Sequence, residues 1–332
     1  MVVSSFTPGV YYPMKNVFVF KSAISLSCGL LVSLATSAFA VDWTGAAGSQ
    51  KWEDPKNWKG NTLPTRYGGS DEGLASISGE ATVNLSSSQK ITAMLVGTGQ
   101  NADGILNILP GTLLQATAEN KNSRVGAGRN GQGIVRQSGG EVEFHMLQIG
   151  LDDSAYGSYS LSGGQMTITR ENKGVSMTIG ENGIGEFSIS GDAKLTTRAG
   201  VQLGTDKSGL GTFEVIGSKC KIGIGLENNL DGCWIQKSGS TLKARVDADG
   251  IAYIYVADSD KDGVGGDVVF EEGSLLDVGF ADAKVSGRWV LMEWQGKSVN
   301  NGLKFAPSVD TAVWDFELIE TNDGGQLRIV AR

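Results

Sequence analysis

The chain has 332 residues, 48 of them Gly and 6 Pro, with a formal net charge of −8. Glycine is therefore about twice its usual ~7% share, yet it does not recur every third residue, so collagen is excluded. Hydrophobic residues make up 40% and charged residues 19%, which excludes a disordered chain, and the acidic balance excludes a general nucleic-acid binder.

Residues 1–40 contain no Asp or Glu. Lys15 and Lys21 precede an apolar stretch from Ala23 to Leu34, and Ala38-Phe39-Ala40 follows. Basic, then apolar, then small is the order of a secretory signal peptide, with cleavage expected after Ala40. Met14 would begin a more typical signal than Met1. No later segment has the ~18 apolar residues of a membrane span, so no span is expected after cleavage. The mature chain keeps Cys220 and Cys233, and an oxidising compartment leaves a disulfide between them open.

Residues 41–95 are expected to form an N-terminal cap and the first strands. Trp43, Trp52 and Trp58 lie close together, and Leu63-Pro64 follows them. A stack of repeats must cover its exposed end, and aromatic side chains serve that purpose. The functional alternative is a sugar-binding aromatic platform.

Residues 96–282 read as a repeat. An apolar-Gly step recurs as Val96-Gly97, Val125-Gly126, Ile149-Gly150, Ile179-Gly180, Leu203-Gly204 and Ile224-Gly225. A second glycine follows each step, at Gly104, Gly133, Gly157, Gly185, Gly211 and Gly232. Alternating pairs come next, such as Tyr159/Leu161, Phe187/Ile189 and Phe213/Val215. Ser-Gly corners follow at Ser138, Ser162, Ser190 and Ser238. A last pair closes each unit, as in Val142/Phe144, Met166/Ile168 and Cys220/Ile222. Alternation at period two means half-buried strands, and glycine supplies the positive φ of tight corners. Three short strands per unit make one turn of a coil whose apolar side is buried only by stacking. The prediction is an all-β, right-handed parallel β-helix with capping strands at both ends.

Residues 283–332 contain Trp289-Val290-Leu291-Met292, Trp314 to Ile319 and Leu327 to Val330. Asp323-Gly324-Gly325 is a hairpin signal between the last two, so a small antiparallel cap is expected.

Three segments together resemble secreted bacterial β-helix proteins of the autotransporter-passenger type, those with autotransporter-associated β-strand repeats. These are the Trp52…Asn57-Trp58…Pro64 opening, the Ile/Val-Gly…Gly…Ser-Gly-Gly units, and the ending from Gly287-Arg288-Trp289-Val290-Leu291 to Gly324-Gly325-Gln326-Leu327. The resemblance implies an extracytoplasmic structural, adhesive or surface-layer role and supplies no catalytic residues. The chain departs from that family in carrying no membrane β-barrel, which would need many amphipathic strands of ~10 residues, so self-export is not expected.

The sharpest local motif is Asp258-Ser259-Asp260-Lys261-Asp262-Gly263, which matches the first half of a calcium loop. Its twelfth position is Val269, where a bidentate Glu is required, and Asp267 stands at the tenth. The candidate metal set is Asp258, Asp260, Asp262 and Asp267; an acidic solvated turn is the bland reading, and no other cofactor is implied. His145 is the only His and has no nucleophile motif beside it, so no catalytic role is expected. Asp152-Asp153 and Glu271-Glu272 are the adjacent acidic pairs a glycosidase reading would draw on. The expected function is a secreted, non-catalytic β-solenoid with a structural or adhesive role. The alternative is a carbohydrate-active β-helix, either a lyase, a glycosidase or a glycan-binding module. Expected partners are an extracellular polysaccharide or a surface protein.

Overall fold

The computed structural model describes residues 40–65, 73–119, 121–170, 174–205, 208–226, 232–258, 265–321 and 323–332. The leader proposed over residues 1–40 lies outside them except for Ala40. Among the described residues no helix is long and apolar enough to cross a membrane.

The chain winds as a parallel β-solenoid of about seven turns. Each turn lays one strand on each of three faces, and the same face of the next turn pairs with it in parallel. The first face includes Ala93–Thr98, Ser123–Ala127, Leu147–Ile149, Val175–Ile179, Gly200–Leu203 and Cys233–Gln236. The second includes Asp103–Ile108, Gln132–Gln137, Tyr156–Leu161, Ile184–Ile189, Leu210–Ile216 and Thr241–Val246. The third includes Leu113–Ala116, Glu141–Phe144, Gln165–Ile168, Lys194–Thr197, Lys221–Ile224 and Ile254–Val256.

Period-two alternation explains the interior. Tyr156–Leu161 and Ile184–Ile189 bury every second residue. Tyr159, Phe187 and Phe213 stack in register up the second face, with ring centroids 5.9 Å and 5.0 Å apart. Phe144 meets this column from the third face at 6.4 Å, and Trp234 meets it from the first at 5.3 Å. Aromatic contacts of this kind add ~0.5–1.5 kcal/mol beyond their area. The buried Tyr159 hydroxyl donates to Gln137 Oε1 at 2.8 Å, and Gln137 Nε2 donates to the Gln165 carbonyl at 3.1 Å. The polar atoms of this buried pair are thus answered inside the core.

The apolar-Gly step ends the first face. Val96, Val125, Ile149, Ile179 and Leu203 are in register there. The glycine after each takes positive φ, for example 67° at Gly150, and a Cβ on it would collide with the backbone of Ile184 in the next turn. Gly104, Gly133, Gly157, Gly185 and Gly211 are in register at the start of the second face. The corner therefore brings backbone against backbone, with no room for side chains.

Three expected alignments shift. Ile224-Gly225 does not continue the first-face series: Ile224 pairs with Thr197 and Val256 on the third face. The residue beyond Leu203 on the first face is Gln236, which donates from Nε2 to the carbonyls of Ser240 and Leu275 at 2.9 and 2.8 Å. Ser238-Gly239 accordingly sits at the corner from first to second face, whereas Ser138, Ser162 and Ser190 sit at the corner from second to third. Cys220 does not replace Val142 and Met166: the residue in that column is Ile222, reached through Leu195. Loops of unequal length cause all three shifts, because strand register counts turns of the coil and not residues.

Residues 41–61 seat on the first turn. Val41–Asp42 adds a parallel strand to the first face, and Trp52 N–H donates to the Asn84 carbonyl on the second. Trp43 and Trp52 pack against Trp58 at 5.1 and 4.7 Å. Trp52 and Trp58 are buried, so their rings form a cap and not an exposed sugar platform. Asn57 holds the loop by accepting from Ala47 N–H at 3.0 Å and donating to the Ser49 and Lys51 carbonyls at 3.0 and 3.1 Å.

At the other end, Gly324–Ala331 runs antiparallel between Gly287–Trp294 and Trp314–Thr321. Trp314 packs on Phe280 at 4.7 Å and Phe316 on Phe305 at 5.0 Å. The outermost strand carries Asp315, Glu317 and Glu320, charges that discourage edge-to-edge pairing.

Candidate functional site

Asp258, the first residue of the acidic motif, stands at the corner that leaves the third face. Asp258 follows Ile254–Val256 and is buried, with its N–H donating to Gln295 Oε1 at 3.0 Å. Asp267 begins the next first-face strand, and its Oδ1 accepts from Lys297 N–H at 2.7 Å. Asp260 and Asp262 lie outside the described residues. Among the described residues no group of three or more His, Cys, Asp or Glu side chains is gathered for a metal. A cleft of about 650 Å³ opens beside Asp258 and is walled by Lys297, Val299, Glu320 and Asp323. Glu320 accepts from Ser298 Oγ at 2.6 Å.

The adjacent acidic pairs serve the turns. Asp152 Oδ2 accepts from Gly128 N–H of the preceding coil at 2.5 Å, and Asp153 is exposed. Glu271 pairs with Lys237 at 2.6 Å, and Glu272 points to solvent. His145 lies at the corner between Glu141–Phe144 and Leu147–Ile149, its N–H donating to the Ala116 carbonyl at 3.0 Å.

Cys220 is a free, buried thiol at the corner before the third-face strand, whereas Cys233 stands on the first face, and no bridge joins them. Burial pushes the Cys220 thiol up to about 11, and the nearby Asp247 carboxylate adds to this. Neutral thiol is thus the form the fold favours. Its contribution is fully present below the ordinary thiol range and is lost as pH rises from about 9 towards about 11. Iodoacetamide at neutral pH should leave Cys220 unmodified in native protein, and its alkylation should follow the urea unfolding curve, as mass spectrometry would read. Modification of Cys220 well below the unfolding midpoint would show that this corner opens by itself.

A second groove, of about 490 Å³, lies on the outer side of the third face and was not visible in the motifs. Lys194 pairs in register with Lys221, and Thr196 with Gly223. Gly223 pairs in turn with Tyr255, and Tyr255 with Glu293. Tyr253, one residue before Ile254, lines the same groove as Lys221 and is 51% exposed. Two outward columns therefore run along the stack, Lys194–Lys221–Tyr253 and Thr196–Gly223–Tyr255. Gly223 adds no side chain to the second column, and Leu226 occupies the space where its Cβ would stand. Burial, helped by the Glu293 carboxylate, raises the Tyr255 phenol above its ordinary range.

No family model matches the chain, and no curated protein is significantly similar to it.

Proposed function

We propose that this protein is a secreted, non-catalytic β-solenoid of the autotransporter-passenger type, acting as a structural or adhesive component outside the cytoplasm. The observation that carries this reading is the division between inside and outside. Inward positions repeat from turn to turn, as in Tyr159, Phe187 and Phe213. The outward column one position further on reads Arg136, Ser160, Ser188, Glu214, Lys243 and Asp277, with no chemistry kept along its length. A stack whose interior carries the fold leaves its faces free to vary as recognition surfaces. The leader-like first forty residues support export.

Two measurements on the protein from its producing cell test the reading together. Its N-terminus should be Val41 in an extracytoplasmic fraction. Folded protein incubated with acidic and neutral polysaccharides, with and without calcium, should release no new reducing ends and no unsaturated-uronate absorbance. Full-length protein confined to the cytoplasm would overturn the location. Product formation would overturn the non-catalytic role and favour a carbohydrate-active β-helix.

A further inference from the structure

The chain carries 36 acidic against 28 basic residues, yet three lysines gather around the third-face groove. Lys194, Lys219 and Lys221 are exposed, and among the described residues none forms an ion pair. Arg245, by contrast, is clamped between Glu214 at 3.3 Å and Asp277 at 3.0 Å. The carboxylates nearest the groove are turned to other donors. Asp247 accepts from Ser218 N–H at 3.0 Å and Asp249 N–H at 2.9 Å, and Glu293 accepts from Gln326 Nε2 at 2.9 Å. The three lysines are thus left without a partner carboxylate among the described residues, although the charges of Asp247 and Glu293 reach Cys220 and Tyr255 at the groove's margin.

Beside the lysines stands an exposed ring. Large exposed apolar or aromatic side chains are few on this molecule, and Tyr253 is the most exposed of those described. Its neighbour Tyr255 offers a protonated hydroxyl at the groove.

We infer that this groove binds an anionic polysaccharide of the polyuronate class, with sugar carboxylates on Lys194 and Lys221 and a pyranose face on the Tyr253 ring. Neighbouring strands stand ~4.8 Å apart, so the two ammonium groups form a short row along the stack axis that a linear chain can follow. Spaced carboxylates suit such a row. The acidic remainder of the chain repels any polyanion beyond the groove, so contact is confined to a short stretch of ligand. Binding through exposed lysines is screened by salt, so affinity should fall steeply as ionic strength rises. This inference rests on the reading of the protein as an extracytoplasmic recognition scaffold, and names one ligand class for it.

The test is calorimetric titration of the mature protein with hexagalacturonate, cellohexaose and dextran sulfate, at low and high salt. Hexagalacturonate should bind at low salt and weaken at high salt, and cellohexaose should not bind. The double variant Lys194→Gln/Lys221→Gln and the single variant Tyr253→Ala should each bind about tenfold more weakly or worse, a loss of ~1.4 kcal/mol. Both should melt as the parent does, since the side chains are exposed. Lys304→Gln, on the second face, should leave binding unchanged. Wild-type affinity in the lysine or tyrosine variants, or binding of cellohexaose as tight as that of hexagalacturonate, would overturn the inference. Equal binding of dextran sulfate would overturn the carboxylate assignment in favour of any polyanion. If hexagalacturonate fails to bind while the protein still leaves the cytoplasm and cleaves no glycan, the groove assignment fails and the scaffold reading stands. Cytoplasmic retention or glycan cleavage would instead defeat the scaffold reading, whatever the groove binds.

Discussion

Phe187→Asp is expected to abolish cooperative folding. Phe187 is buried in the middle of the aromatic column, with Tyr159 below it at 5.9 Å and Phe213 above it at 5.0 Å. Removing a buried Phe side chain costs ~3–5 kcal/mol. A carboxylate placed there must be either desolvated or protonated, and no cation faces it in that apolar column, so several kcal/mol more are lost. The sum rivals the ~5–15 kcal/mol that holds an ordinary domain together. Each coil is stabilised by its neighbours, so a fault in a central coil is felt on both sides. Circular dichroism should show loss of the cooperative melt, and Phe187→Leu should keep it with a smaller loss of ~1–3 kcal/mol, the worth of its two ring contacts. A parental melt in the aspartate variant would mean that this side chain does not face the interior.

The second large effect is expected at a corner glycine. Gly150→Ala should cost more than about 3 kcal/mol, whereas Gly111→Ala should cost ~1–2 kcal/mol. Both glycines have positive φ, 67° and 83°, so both substitutions carry the left-handed penalty. They differ in what the new methyl meets. Nothing lies within 4 Å of a Cβ at Gly111. At Gly150 the methyl would drive into the carbonyl of Ile184 in the next coil, where backbone cannot rotate away as a side chain can. Urea titration of the two variants separates the terms. Equal losses would show that the backbone angle alone sets the need for glycine and that the coils can separate at little cost.

These two predictions rest on features of different legibility. The burial of Phe187 follows from alternation within six residues, and so do those of Tyr159 and Phe213. The need for glycine after Val125 or Ile149 follows from its recurrence in the same phrase. Where the phrase drifted, linear reading failed. Ile224-Gly225 looked like a sixth first-face corner but belongs to the third face, while the true successor, Gln236-Lys237, looks like neither an apolar step nor a glycine corner. Of the calcium-like motif, Asp258 donates its N–H to Gln295 and Asp267 accepts from Lys297 N–H, while Asp260 and Asp262 lie outside the described residues.

Alternation and turn residues are enough to identify a stack of short strands, the residues that face inward, the corners that need glycine, and the aromatic residues and hairpin that close its two ends. Those properties are local: each is encoded by side-chain alternation and turn chemistry over a few residues, and repetition reinforces it. What the outside presents depends on how the turns stack. Lys194 and Lys221 are 27 residues apart in the chain and stand side by side, with Tyr253 in the same groove. That juxtaposition depends on how many loop residues each turn spends before its strands come back into register. No local pattern constrains that number, because solvated loops tolerate length changes at little free-energy cost.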